Sequence, residues 1–370
     1  MGRAIDSSTK YGCIFETLKG EILSGKYQPG QKLPSEMMLM RRFGGSRITV
    51  VRALRELDSA GLIVRRKGSG SFMSKRAKSL RRAIGLLMPV SLGEIFPMLS
   101  RHVRKFAEQD GYKIVEADLL AAERPDRMRE ARRIAGELVA QSVQGVIMHV
   151  VDVVPDARRL FDAVLETLSA AGVPVVLTDC DFRPFPERSG YDVVGMCDAS
   201  AGHELARHVA EAGAKRAVFL IPKFGGVSFE NRARGFLAAM KEANLKCAAV
   251  TCDPANVRAV KGLFGGERRL DAIVCGNDKM AATVIRTLSG LGKKIPQDVM
   301  VAGFDDTDSA RVVPGGLTTM RYPTEAIAES AYRVLLARIE NPSSRICMIS
   351  HSATLVPRIT TAVHHPPGQT

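Results

Sequence analysis

Residues 46–72 read S-R-I-T-V-V-R-A-L-R-E-L-D-S-A-G-L-I-V-R-R-K-G-S-G-S-F. The first half predicts a helix, because four apolar residues recur at the spacing of one helical face: Val50, Ala53, Leu54 and Leu57. Ser46 is placed to cap this helix, since a serine hydroxyl accepts a hydrogen bond from a free N–H group in the first turn. The second half predicts two short strands, 62–67 and 71–74, joined by the glycine-rich tip Gly68-Ser69-Gly70. The stretch therefore predicts a helix followed by a β-hairpin.

Two further helices are predicted on the N-terminal side of this stretch. The first spans residues 10–25 and carries apolar residues at helical spacing. A break follows at Gln28-Pro29-Gly30. Ser35 then stands at the cap of a second helix, which Gly44-Gly45 ends. Three helices and a β-hairpin form a winged helix-turn-helix, a fold that places its third helix in the major groove of DNA.

The charge of the chain is concentrated in the same region. Residues 1–82 contain 18 Lys and Arg against six Asp and Glu, whereas the remaining 288 residues contain 35 against 33. A basic N-terminal region on a nearly neutral body indicates a polyanionic partner, and it favours nucleic acid over an acidic membrane. A solvated basic tail does not explain the charge, because this region also carries the apolar pattern of a folded core.

Three segments of this region resemble the DNA-binding domain of the gluconate-repressor (GntR) family. They are G-x-Y-x-P-G-x-x-L-P-S-E at 25–36, S-R-x-T-V at 46–50 and G-L-I-x-R-R-x-G-S-G-S-F at 61–72, and the similarity spans residues 9–74 without a gap. The resemblance implies that the capped start of the third helix and the tip of the wing touch DNA. It assigns Ser46, Arg47 and Thr49 to the major groove. It assigns Lys67, Gly68 and Ser69 to the minor groove or to the phosphates.

Other residues of this region have less settled roles. Ser35 is predicted to contact DNA as well as to cap the second helix, and Arg52 and Arg55 either bind phosphates or lie solvated on the helix surface. The sequence departs from the family at Met37 and Val51, positions where the family usually or often has arginine. Two DNA contacts are therefore missing or moved, and the operator cannot be transferred from relatives. Val51 either meets a thymine methyl group or is a tolerated surface valine.

From residue 83 the pattern changes to an alternation of strands and helices. Buried strands are predicted at 83–90, 112–117, 145–150, 173–179, 193–196, 216–221, 248–252, 272–275 and 299–304. Such alternation predicts parallel sheets covered by helices on both faces, with a ligand at the carboxyl ends of the strands. The expected architecture is α/β, with four parts: a winged helix-turn-helix at 1–74, a linker at 75–82, a two-lobed body at 83–362 and a flexible tail at 363–370.

The body resembles the effector domain of the lactose-repressor (LacI) family, itself similar to periplasmic sugar-binding proteins. The segments that carry the resemblance are R-A-R-G-F at 232–236, D-A-I-V-C-G-N-D-K-M-A at 271–281, I-P-Q-D-V-M-V-A-G-F-D-D-T at 295–307 and L-T-T-M-R-Y-P at 317–323. The resemblance implies two lobes that close on a ligand at their hinge, with chain crossovers near 183–192, 308–322 and the C-terminal region. It also implies a homodimer built through the body.

Carried over by position, the ligand-binding residues implied by this resemblance are Asp179, Arg232, Asn277 and Asp305. Carboxylates and an amide suit the hydroxyl groups of a sugar, and arginine supplies a planar fork of donors. Phe96 and Tyr322 either stack on a sugar face or belong to the core, and Tyr322 stands where the family often has a polar residue. Asp278 is predicted to cap the helix that follows it.

The remaining features of the chain disfavour other classes of protein. Seven scattered cysteines without a C-x-x-C pair favour free thiols in a reducing compartment. No apolar run reaches the about 18 residues of a membrane span, and the N-terminus lacks the apolar core of a signal peptide. No G-x-G-x-x-G, P-loop or nucleophile elbow is present, so no catalytic residue is assigned. We expect a cytoplasmic protein without metal or other cofactor.

The combination of these two domains in one chain resembles the arabinose-repressor type of transcriptional regulator. They imply a homodimer that binds a double-stranded DNA operator and a small-molecule effector of the sugar class. The implied function is repression of a carbohydrate-use operon, relieved by a mono- or disaccharide. A sugar-responsive activator remains an alternative, as does a non-regulatory binding protein or an enzyme on the same α/β fold.

Overall fold

The computed structural model describes residues 9–23, 26–74, 83–121, 126–150, 156–183, 186–223, 225–264 and 270–362. The chain divides into two compact units, one containing the N-terminal region and the other most of the α/β body. The predicted linker at 75–82 and the predicted tail at 363–370 lie outside the described residues.

The N-terminal region folds as three helices and a two-stranded wing, as the sequence predicts. The elements are α1 (Lys10–Leu23), α2 (Glu36–Phe43), α3 (Arg47–Ser59), β1 (Ile63–Arg66) and β2 (Gly70–Met73), and the two strands pair antiparallel. Ser35 and Ser46 cap α2 and α3 as predicted, since their side chains accept hydrogen bonds from the first turn of each helix. The short helix α2 ends at Gly44, whose φ of 59° is easily adopted by glycine.

One apolar cluster holds this region together. The inward face of α3 packs against the apolar face of α1, and the side chains of Leu54 and Leu18 at this contact are almost fully buried. The segment between α1 and α2 is tied to the wing, because Gly30 N donates to Met73 O at 2.9 Å and Leu33 N donates to Ser71 O at 2.9 Å. The wing is thus fixed on one side by the core and on the other by backbone hydrogen bonds.

The body contains two six-stranded sheets, and the first sheet with its helices forms the first lobe. Its strands are β3 (Ala83–Leu87), β4 (Lys113–Ala117), β5 (Gly145–His149), β6 (Val175–Thr178), β7 (Asp192–Met196) and β13 (Met348–His351). They lie in the order β13-β7-β6-β5-β3-β4, and the pairs from β13 to β5 are parallel. The helices of this lobe are α4 (Ile95–Gln109), α5 (Arg127–Ala140), α6 (Ala157–Ala170) and α12 (Thr324–Glu340).

The second sheet with its helices forms the second lobe. Its strands are β8 (Arg216–Ile221), β9 (Lys246–Thr251), β10 (Ala272–Cys275), β11 (Met300–Asp305), β12 (Thr318–Arg321) and β14 (Thr354–Val356), in the order β14-β12-β11-β10-β8-β9. All pairs are parallel except the antiparallel β12-β14 pair. The helices are α7 (Asp198–Glu211), α8 (Val227–Glu242), α9 (Val257–Gly262), α10 (Asp278–Gly290) and α11 (Asp308–Arg311). The predicted α/β class with parallel sheets is confirmed.

Within the described residues the chain passes between the lobes three times, and one crossover differs from the prediction. The first crossing follows β7 at 196–198, not 183–192, because β7 pairs with β6 of the first sheet. The prediction was wrong because an apolar run identifies a strand without identifying the sheet that it joins. The second crossing lies between β12 and α12, and the third lies between β13 and β14. Both are at or close to the predicted places.

Helices α7 and α8 pack with their backbones in contact. A Cβ atom added to Gly202 would lie 2.0 Å from the carbonyl oxygen of Arg232, and one added to Gly235 would lie 1.8 Å from that of Ala199. Both distances are far below a possible contact, so these positions accept glycine alone. The close approach brings Asp198, at the start of α7, beside Arg232 on α8.

Replacing Gly235 by alanine is expected to lower the free energy of unfolding of the body by about 1–3 kcal/mol, because the helices must move apart. Gly136→Ala is the matched control, since Gly136 lies within α5 with nothing within 4 Å of an added Cβ. That variant should be more stable than the parent by about 0.5–1 kcal/mol. Urea unfolding followed by circular dichroism measures both. A Gly235→Ala body as stable as the parent would contradict the proposed packing constraint.

Candidate functional site

The start of α3 is an exposed helix terminus with a fixed cap. Ser46 Oγ accepts a hydrogen bond from Thr49 N at 3.3 Å and lies 2.8 Å from Thr49 Oγ1. The first turn of a helix presents free N–H groups and a partial positive charge, which together favour an anion such as a phosphate. Ser46 and Thr49 are therefore placed where the sequence predicts contact with DNA.

Arg47 extends from this turn, and its side chain is 78% exposed. Its Nε lies 3.4 Å from Glu36 Oε2, and Arg65 Nη2 donates to Glu36 Oε1 at 3.0 Å. Surface ion pairs of this kind stabilise a protein by about 0–1 kcal/mol. Arg47 can therefore exchange Glu36 for a phosphate or a guanine edge at little energetic cost.

A basic groove lies between α2, the start of α3 and the wing. The groove is lined by one carboxylate, that of Glu36, and by five cationic side chains. The cations are Lys32, Arg47, Arg65, Arg66 and Lys67. Lys67, Gly68 and Ser69 form the exposed wing tip. Gly68 has a φ of +75°, which glycine adopts without strain, and its lack of a side chain lets a phosphate backbone approach closely.

Two other predicted DNA-binding residues have contacts within the N-terminal region. Ser35 Oγ accepts from Met38 N at 3.3 Å, and Ser35 also lines the basic groove. The guanidinium carbon of Arg52 lies 4.3 Å from the centre of the Tyr11 ring. Arg52 is exposed but is drawn towards α1, away from the basic groove.

In the body, a cavity of about 220 Å³ lies at the carboxyl ends of strands from both lobes. It brings together all six predicted ligand residues: Phe96, Asp179, Arg232, Asn277, Asp305 and Tyr322. Asp179 directly follows β6 and has a φ angle of +83°, and Asp305 is the last residue of β11 and has a φ angle of +104°. Positive φ is unfavourable for residues other than glycine, and such strain is concentrated at functional sites. We call this cavity the pocket.

Three oxygen atoms accept hydrogen bonds from the buried guanidinium of Arg232. Its Nε donates to Asp198 Oδ1 at 2.7 Å, and its Nη1 donates to Gly276 O at 2.8 Å and to Asp305 Oδ1 at 3.2 Å. Burial by itself lowers the pKa of Arg232, but the carboxylates of Asp305 and Asp198 outweigh burial and raise it. Arg232 therefore stays charged and is already committed to protein partners.

The acidic groups around Arg232 share its charge. Burial raises the pKa of Asp198 to about 7 against the opposing effect of Arg232, and the Asp179 carboxylate adds to the rise. Burial also raises the pKa of Asp305, again opposed by Arg232. Because carboxylates outnumber the cation at their centre, this part of the pocket favours a ligand that donates hydrogen bonds, such as a hydroxyl group.

Asn277, and not Asp278, caps α10. Asn277 Oδ1 accepts from Met280 N at 2.8 Å and caps α10, while Asn277 also lines the pocket. Asp278 is buried; its Oδ1 accepts from Thr319 Oγ1 at 2.7 Å and its Oδ2 accepts from Thr307 N at 2.9 Å. The prediction of an Asp278 cap is wrong because a cap needs an extended backbone just before the helix, and that backbone belongs to Asn277.

The two aromatic residues line the pocket, and their stacking on a sugar stays a prediction. Tyr322 is buried, lines the pocket, and its hydroxyl donates to Asp179 Oδ1 at 3.4 Å. The Phe96 ring lines the pocket and packs edge-on against the His149 ring, with ring centres 4.9 Å apart. Each residue is thus packed in the protein and presents part of its ring to the pocket.

Among the residues of this site that were missed from sequence are Glu94, His149 and Asp198. Glu94 joins the lobes, because its carboxylate accepts from Ser309 N at 3.0 Å and from Ser309 Oγ at 2.8 Å. His149 Nδ1 lies 3.0 Å from Thr178 Oγ1. His149 ends a parallel strand and Glu94 lies in the segment after β3, so the rule on carboxyl ends could have found both. Asp198 also follows a strand, β7, but its place beside Arg232 depends on the first crossover, which was misplaced.

Comparisons with known proteins agree with the geometry of both regions. Residues 10–73 match the family model described as bacterial regulatory proteins, gntR family. Residues 206–361 match the model described as a periplasmic binding protein-like domain. The two resemblances inferred from sequence are confirmed, and the chain joins a gntR-type DNA-binding domain to a periplasmic-binding-protein-like body.

Similar proteins span most of the chain. An arabinose metabolism transcriptional repressor from Geobacillus stearothermophilus is 26% identical over 349 residues, which is 90% of this chain and 92% of the relative. A transcriptional repressor PurR from Vibrio vulnificus is 26% identical over 276 residues, 72% of this chain and 78% of the relative. A ribose-bound LacI family transcriptional regulator from Enterococcus faecalis V583 has a TM-score of 0.64 at 22% identity, covering 76% of this chain and 99% of that one. The last comparison shows the two-lobed fold.

Within the described residues, no group of three or more His, Cys, Asp or Glu side chains is arranged to hold a metal ion. Each helix in this part of the chain is too short or too polar to span a bilayer. The seven cysteines are free thiols, and Cys252 and Cys275 are buried.

Replacing Arg47 by alanine is expected to weaken binding to a selected duplex by about 1–3 kcal/mol, because a contact to a base edge or a phosphate is lost. Fluorescence anisotropy at two salt concentrations measures the change. The control is Arg286→Ala, which removes the same charge from an exposed position of α10 and should bind as the parent does. An unchanged affinity in Arg47→Ala would count against the assigned role.

Replacing Arg232 by methionine is expected to lower the free energy of unfolding of the body by about 3–5 kcal/mol, since two buried carboxylates lose their shared cation. Adding Asp198→Asn to that chain should recover part of the loss, because one of the uncompensated charges is removed. Denaturant unfolding of the two variants and the parent provides the comparison. If the double variant is no more stable than Arg232→Met, charge compensation is not what this arginine supplies.

Proposed function

We propose that this DNA-binding transcriptional regulator is a cytoplasmic repressor of a carbohydrate-use operon. Its winged helix binds a double-stranded operator, and a neutral sugar bound in the pocket releases it. The observation that carries the proposal is the convergence of six predicted ligand residues on one pocket, in the same chain as a basic winged helix.

The charges of the pocket support an uncharged effector over a sugar phosphate or a sugar acid. Arg232 already donates to two carboxylates and a carbonyl oxygen, so an anionic ligand would have to displace them. The other charged lining residues are Glu94, Asp179, Lys279 and Asp305. Three carboxylates therefore face two cations, and a phosphate group would meet net repulsion.

The size and walls of the pocket support a monosaccharide. Its volume of about 220 Å³ is below the range of about 300–1,000 Å³ that is usual for ligand pockets. Phe96, Phe229 and Tyr322 supply apolar surface among the polar groups. A pyranose or furanose ring has both kinds of surface, since its C–H groups pack on aromatic rings and its hydroxyl groups bond to carboxylates.

The names of relatives support repression over activation. The relative from Geobacillus stearothermophilus is a repressor of arabinose metabolism, and the one from Vibrio vulnificus is also a repressor. An activator would bind DNA and sugar through the same two sites, and would differ in its effect on transcription. A non-regulatory binding protein would have no use for the basic groove of the N-terminal region.

A homodimer completes the proposal. One winged helix reads a short half-site, and selection among many competing genomic sites needs two half-sites. We infer that the body supplies the contact between protomers, so that two winged helices bind a palindromic operator.

The proposal is tested with the full-length chain and a duplex selected from a random library. Operator affinity and melting temperature are measured with neutral aldoses, disaccharides and sugar phosphates. At 100 times its Kd, the effector should stabilise the body by about 2.7 kcal/mol, and it should weaken operator binding by about 5–150-fold. The proposal fails if no neutral sugar produces either effect, or if only phosphorylated sugars do.

In the same assay, Asp179→Asn is expected to bind the operator as the parent does and to respond weakly to the effector. The amide keeps the acceptor for the Tyr322 hydroxyl but removes a charge that accepts hydrogen bonds from ligand hydroxyls. Asp308→Asn is the control, because Asp308 is an exposed carboxylate on α11 outside the lining of the pocket. An Asp179→Asn chain with the full effector response would remove Asp179 from the site.

A further inference from the structure

An isoleucine stands at the part of α3 that faces outwards. Ile48 is 81% exposed, the highest value among the large apolar side chains of the described residues. It lies in the first turn of the helix, between the exposed Arg47 and Thr49, whose backbone N–H donates to the capping residue Ser46. Removing such an apolar side chain from water lowers the free energy, so its exposure at the predicted DNA contact requires an explanation.

Ile48 belongs to one face of α3 together with Val51, Arg52 and Arg55. These residues are three, four and seven positions apart from Ile48, the spacing of a single helical stripe. Val51 is half-buried and Arg55 is exposed. The opposite face of the helix is packed in the core, so this stripe is the surface that α3 offers to a partner.

The surroundings of Ile48 favour DNA as that partner. Arg47 precedes it, Arg52 and Arg55 follow it on the same stripe, and the basic groove lies beside the start of the helix. A protein surface would have to bury or pair these cations, whereas a duplex neutralises them with phosphates. The apolar group that a duplex presents in its major groove is the 5-methyl group of thymine.

We propose that Ile48, together with Val51 one turn later, packs against thymine 5-methyl groups in the major groove and so selects thymine within each half-site. The inference rests on the proposed function, because it requires that α3 binds a duplex. It gives the operator a feature that is independent of hydrogen bonds to base edges. Arginines at the start of α3 and on the wing would supply affinity, while Ile48 would supply discrimination between thymine and other pyrimidines.

The test uses the full-length chain and the duplex that it selects from a randomised library. Each thymine is replaced in turn by deoxyuridine, which removes the methyl group and leaves base pairing intact. At one or two positions of each half-site, affinity should fall about fourfold, the factor expected for one buried methyl-sized group. The Ile48→Ala variant should bind the thymine duplex more weakly than the parent does. At the position that Ile48 reads, it should bind the thymine duplex and the deoxyuridine duplex equally well. The alanine variant should fold normally, because Ile48 makes little contact with the core and alanine favours a helix.

Lys67→Ala is the matched comparison, since it removes a charge from the wing and should weaken binding to both duplexes by the same factor. If a duplex is selected but no deoxyuridine substitution changes affinity, the inference fails while the proposed function stands. If the deoxyuridine effect persists at full size at every position in Ile48→Ala, Ile48 reads no methyl group and the inference also fails. If no duplex is selected at all, the proposed function fails together with it.

Discussion

The buried guanidinium of Arg232 holds the pocket in its present form. It joins the start of α7, the loop after β10 and the end of β11 through hydrogen bonds to Asp198, Gly276 and Asp305. This contact depends on the two glycines at which α7 and α8 touch, because any side chain at Gly202 or Gly235 would separate Arg232 from Asp198. A buried charge that loses its partners destabilises a protein strongly, so the helices, the strand end and the pocket form one interdependent unit.

A ligand can influence this unit because polar contacts cross between the lobes at its edge. Glu94 of the first lobe accepts two hydrogen bonds from Ser309 of the second, and Tyr322, at the second crossover, reaches Asp179 of the first. Each of these contacts is made by residues that line the pocket or adjoin it. A sugar that replaces or extends such contacts has different affinities for different arrangements of the lobes, which is the condition for shifting a population.

The sequence predicted most accurately the features that depend on local patterns. Spacing and cap chemistry predicted the caps Ser35 and Ser46 and the buried face of α3. They also predicted the bounds of β8 and β10 to within a few residues. The sheet that β7 joins, and hence Asp198 as a partner of Arg232, depends on contacts between distant segments, which periodicity does not encode. The strands β13 and β14 were missed because they are short and half-exposed, with weak apolar patterns. The pocket residues were found through family resemblance, whereas the commitment of Arg232 to protein partners required the structure.

The proposed function requires that the pocket and the winged helix are coupled through one chain. Reciprocal titration measures this coupling: operator affinity is determined with and without saturating sugar, and sugar affinity is determined with and without operator, on the same preparation. Linkage requires that both affinities change by the same factor, and we expect a factor of about 5–150 in the direction of mutual weakening. Equal sugar affinities for the free and the operator-bound protein would rule out this coupling, because a ligand that does not distinguish the two states cannot release the DNA.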